Sequence, residues 1–102
     1  MNARQKKLLL KRIISQGVRL GASLHPGAVR IALIDILENA DRFLEAVGKQ
    51  PEKLLPMDAR QRAHIPKTIR TVCASLKGYA PSITVVNRIR LIRSLADEYL
   101  QS

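Results

Sequence analysis

Asn87, Arg88, Arg90 and Arg93 crowd into one short stretch, and their types suit the edges of nucleic-acid bases, Arg forking onto guanine and Asn onto adenine. Upstream, Arg4, Lys7 and Lys11 fall along one flank of an apolar helix face with Arg12 on its outward side, and Lys67, Arg70 and Lys77 form a second stripe. Guanidinium and ammonium groups of this kind bind phosphate oxygens, and each phosphate they neutralise releases a counter-ion. The distribution of acids makes these residues a set. Residues 1–34 carry seven Lys/Arg and no Asp or Glu, and residues 59–93 carry eight and again no acid. Asp35, Glu38, Asp41, Glu45, Glu52 and Asp58 fall between these stretches, and only Asp97 and Glu98 follow them. With a formal net charge of +10, the chain generates a field that concentrates polyanions around it.

Other reactive types do not assemble. Cys73 is the only cysteine, which excludes an internal disulfide and a thiolate metal cluster. His25 precedes Pro26 and reads as a helix-start residue, and His64 has no carboxylate or nucleophile at a defined spacing. Two His, one Cys and scattered acids make no zinc set. Gly17, Gly21 and Gly27 follow no strand, so they do not form a phosphate-cradling loop. The expectation is a binder, not an enzyme, with no cofactor and no metal. The single thiol fits a reducing cytoplasm.

The elements that would position the cations are helices. Four segments show helical periodicity and none shows sustained alternation. The expected fold is all-α, a compact four-helix bundle in a single domain over residues 1–102. Its helices are expected at 3–20, 26–47, 59–78 and 82–100, with Pro66 interrupting the third either as a kink in one helix or as the start of a second helix after a short turn that ends near Ile65. In the first, Leu10, Ile13, Ile14, Gly17, Gly21 and Leu24 share a face. Its paired small residues permit close helix approach, while their glycine backbone allows the helix to stop near Gly17. In the second, Val29, Leu33, Ile36, Ala40, Phe43 and Val47 make the core stripe, Pro26 marks the start and Gly48 the end. Asp58 and Gln61 have the spacing of a capping box. Ile65, Ile69, Val72, Cys73 and Leu76 face the core in the third segment, which Gly78 should end. Val85, Ile89, Ile92, Ala96 and Tyr99 do so in the fourth. Glu38–Arg42 and Arg93–Asp97 are spaced for i,i+4 ion pairs.

An up-down-up-down order would place the fourth helix against the first and third, joining the three acid-free helices into one basic face. Gly78-Tyr79-Ala80-Pro81 has the length of a helix-turn-helix link, which would make the fourth helix a reading helix. The composition thus implies a small basic nucleic-acid-binding protein, regulatory or architectural, with DNA and RNA undistinguished. The alternative is a helical protein–protein interaction module that recognises an acidic surface, as an adaptor, an inhibitor or a small subunit of a larger assembly. Ile31 and Ile34 lie off the core stripe and favour a protein contact, either with such a partner or with a second copy through the second helix. Residues 3–20 are basic and amphipathic enough for a membrane surface, but they lack an aromatic anchor. No apolar run reaches the roughly 20 residues of a membrane span.

Overall fold

The computed structural model describes residues 1–21, 25–76 and 78–101. It is all-helical, with α1 (Ala3–Val18), α2 (Pro26–Val47), α3 (Ala59–Ala63), α4 (Ile65–Ser75) and α5 (Ile83–Gln101). Each start has a local cause. Asn2 and Gln5 cap α1 reciprocally, Gln5 N–H donating to Asn2 Oδ1 at 2.9 Å and Asn2 N–H to Gln5 Oε1 at 3.0 Å, a capping box not among the sequence expectations. His25 Nδ1 accepts from Ala28 N–H ahead of Pro26 at the head of α2. Asp58 and Gln61 close the expected capping box on α3. Gly48 ends α2 at φ 69°, a left-handed conformation that a Cβ would strain.

The third expected segment is two helices rather than one kinked helix, the split arrangement that Pro66 also allows. His64 ends α3 and starts α4. Pro66 sits in the first turn of α4, where its missing N–H forfeits no bond, whereas inside a continuous helix its ring would meet a carbonyl four residues back. Gly78 does not end α4. The helix stops at Ser75, Leu76 is extended, and Gly78 takes φ 80° in the link beyond. That link, residues 76–82, is longer than the three- to four-residue turn of a helix-turn-helix. Leu24, expected on the first helix's core face, lies outside the described residues.

The core is aliphatic around one ring. Phe43 is fully buried with Leu10, Ile13, Leu33, Ile36, Ile65, Ile69, Ile89 and Ile92. Burying each such side chain contributes about 1.5–3 kcal/mol. Val47, Val72, Leu76 and Tyr99 pack against this cluster while staying half-buried.

The order of helices around the core differs from the up-down-up-down expectation. α1 packs on α2 and α4, and α5 packs on α2 and α4. So α2 and α4 face each other across the core, with α1 and α5 on either side. The reason is the segment from Gly48 to Asp58, which does not turn back tightly but crosses the outer face of α5 as a strap. Glu52 N–H donates to the Arg90 carbonyl at 3.3 Å, Arg90 Nε–H to the Gln50 carbonyl at 2.6 Å, and the Ser94 hydroxyl to the Glu52 carbonyl. At its end Arg62 donates to the Met57 carbonyl at 2.6 Å. Leu54 and Met57 hold the strap on the core, while Leu55 between them is 86% exposed.

Candidate nucleic-acid interface

The interface builds outward from the α1–α4 seam. A Cβ on Gly17 would collide with Cys73 Sγ and Cβ, so the absence of a side chain is what lets the two helices approach. Both readings of this glycine therefore hold: it sits at a close approach, and α1 ends one residue later. Gly21, in the turn beyond, lies against the Cδ–Nε–Cζ end of Arg70. Cys73 at the seam is buried, and desolvation pushes its thiol up to about 12, which makes it a poor nucleophile.

Turning 100° per residue along α1 separates its two flanks. Arg12 marks the α2 flank. It forms a two-bond fork with Asp35, Nε–H to Oδ2 at 3.1 Å and Nη2–H to Oδ1 at 2.9 Å. Lys7, Lys11 and Arg4 fall on the other flank, the side on which Gly21 meets Arg70. On α4 itself Lys67 and Arg70 are exposed. Among the described residues none of these five cations, nor the exposed Arg88 on α5, has an ion-pair partner. Because α4 lies between α1 and α5, the basic helices are contiguous after all, with α4 rather than the last helix at their centre. Arg88 sits at the edge, sharing a shallow depression with Glu52 and Thr84. Lys77 lies outside the described residues.

The remaining candidates have intramolecular work. Arg93 Nε–H donates to Asp41 at 2.7 Å and its Nη1–H to Asp97 at 3.5 Å. Arg90, besides holding Gln50, donates to Asn87 Oδ1 at 3.3 Å. The Arg93–Asp97 pair expected from i,i+4 spacing forms. The Glu38–Arg42 pair does not form among the described residues, and both side chains are exposed. Asp35 is held below its ordinary carboxylate range, chiefly by the hydrogen bond from Arg12, against an opposing effect of burial that comes second in size. The cross-helix partners of Arg12 and Arg93 are invisible to local spacing, since 23 and 52 residues separate each pair.

Ile31 and Ile34 are 70% and 45% exposed on α2, as expected. Among the described residues no group of three His, Cys, Asp or Glu could hold a metal, and no helix is long and apolar enough to cross a membrane. No family model, no curated protein and no solved structure matches the chain.

Proposed function

We propose that the protein binds nucleic acid through its phosphate backbone, using the face centred on α4. Lys7, Lys11, Lys67 and Arg70 form the middle of that face, and Arg4 and Arg88 its edges. The observation that carries the reading is the contrast in partners: these cations have no carboxylate partner among the described residues, while Arg12 and Arg93 do. A cation already paired to Asp gains little from a phosphate, whereas an unpaired one releases the phosphate's counter-ion without first giving up an internal bond. Base reading through Asn87, Arg90 and Arg93 is not part of this proposal, because Arg90 is engaged by the strap and by Asn87, and Arg93 by α2. The role is then regulatory or architectural, in a cytoplasmic setting, and the buried Cys73 argues for a binder over an enzyme.

The test is a titration against duplex and single-stranded DNA and RNA at several salt concentrations. Neutralising about six phosphates would lower affinity by about 10³ between roughly 50 and 200 mM salt. No binding at roughly 50 mM salt ends the proposal.

Exposed Ile31 and Ile34 support a second reading, contact with a protein bearing an acidic rim. Ile31 shares a shallow depression with Arg19 and Gln16, so an apolar anchor there would have a cation beside it. Pull-down with and without nuclease separates the two readings: partners released on digestion were held by nucleic acid, and partners retained were held directly.

A further inference from the structure

Away from the α4 face, the start of α1, the end of α2 and the start of α5 enclose an open depression of about 500 Å³, within the roughly 300–1,000 Å³ common for ligand sites. Its lining has two halves. Ile83, 78% exposed, and Val86 supply an apolar wall, and Lys6, Lys49 and Arg90 supply positive charge, with no Asp or Glu in the lining. Arg90 is held differently from Arg12 and Arg93. Its Nε–H is fixed on the Gln50 carbonyl and one Nη1–H on Asn87 Oδ1. Among the described residues the rest of the guanidinium's five donors have no partner, and no carboxylate neutralises them. The strap therefore orients this fork in advance and leaves its charge unmatched.

We infer that this depression binds the carboxy-terminal end of a partner polypeptide, taking the terminal carboxylate on Arg90 with Lys6 and Lys49 around it and an aliphatic last side chain against Ile83 and Val86. A carboxylate is the planar anion that an Arg fork grips with two parallel bonds. Capture of a chain terminus by oriented donors is a recurring mode of peptide recognition. An isolated phosphate would leave the apolar wall unused, and a nucleotide base would find no aromatic ring in the lining to stack on. The open shape suits the end of a long chain and would leave a free acyl chain largely wet. This site is separate from the α4 face, so either proposal can fail alone.

The experiment is an amide chemical-shift titration of the full chain with the acetylated tripeptide Ala-Ala-Leu, run beside its carboxamide, octanoate and inorganic phosphate. The free-acid peptide is expected to saturate shifts around Lys49, Ile83, Val86 and Arg90 with a dissociation constant on the order of 1 mM. The carboxamide should bind about tenfold more weakly. Arg90→Gln should abolish the shifts. Because Arg90 also holds the strap, Lys49→Glu and Ile83→Asp, at exposed positions, are the variants that keep the test independent of folding, and each should weaken binding at least about fivefold. Lys67→Gln with Arg70→Gln should leave it unchanged. Equal binding of acid and carboxamide, tighter binding of octanoate or phosphate, or no saturable shift by about 20 mM would each overturn the inference.

Discussion

Arg12 and Lys11 are neighbours in sequence and both exposed, yet they belong to different surfaces. Arg12 leans across to α2 and spends its fork on Asp35. Lys11 falls on the flank toward α4 and has no ion-pair partner among the described residues. The same division holds for the whole molecule. The α2 side of the bundle carries the matched pairs, where Asp35 and Asp41 bind Arg12 and Arg93 and tie α2 to α1 and α5. The α4 side is a surface of unmatched charge. Net charge alone does not distinguish the two. A cation's availability depends on what folding puts opposite it, and here α2, which carries Asp35, Glu38, Asp41 and Glu45, lies across the core from α4.

The largest effect should come from emptying the unmatched side. Replacing Lys7, Lys11, Lys67 and Arg70 by Gln should lower the salt slope of nucleic-acid binding by about 3–4, at about 0.9 for each phosphate left unneutralised. Affinity at low salt should fall by at least about a hundredfold while the melting temperature stays close to wild type. The matched control, Arg12→Gln with Arg93→Gln, should shift the melting temperature and leave the slope within about one unit. Equal slopes for the two variants would dissolve the distinction between the surfaces.

The helices were legible in the sequence because their signals are local. The 4,3 spacing of Val29, Leu33, Ile36, Ala40 and Phe43 matches residues that the fold buries, and Pro26 and Gly48 delimit α2 where expected. The Asp58–Gln61 spacing marked the cap. Helix order around the core was not legible, since it depends on where the strap crosses, and the strap is fixed by Arg90 and Ser94 meeting carbonyls about forty residues away in sequence. The same blindness affected the site. Arg90 and Arg93 looked like surface readers because their partners, Gln50 and Asp41, lie on other elements. Lys6 and Lys49 had no signal at all, since only the packing of three helix ends brings them near Arg90.

Gly17→Ala should cost about 1–3 kcal/mol, because the new methyl meets both Sγ and Cβ of Cys73, so the seam between the helices has to shift to admit it. Chemical denaturation measures it. Since the α1–α4 seam carries the unmatched surface, the variant should also weaken nucleic-acid binding, whereas a cavity made on the α2–α5 side should not. In native protein Cys73 should resist thiol reagents at pH 8, and Gly17→Ala should raise its reaction rate by loosening the seam above it.

Removing Arg93 should cost less, about 0.2–1 kcal/mol, the usual worth of exposed ion pairs, because Asp41 and Asp97 remain partly in water. The destabilisation should shrink in high salt.

The smallest effect is one of pH, and it is confined to the matched side. Asp35 has a folded pKa below its unfolded value, first because of the Arg12 hydrogen bond. The unfolded chain then binds more protons at acid pH than the folded one, so stability rises with pH across that interval. The contribution is complete above the unfolded value of about 4 and disappears as pH falls through the lower folded value. Asp35→Asn should therefore flatten the acid limb of the stability curve below about pH 4 and leave nucleic-acid binding at neutral pH unaltered. An acid limb as steep in the variant as in wild type would show that the Arg12 fork is too wet to hold the carboxylate down. The matched side would then owe its charge pairing to proximity alone.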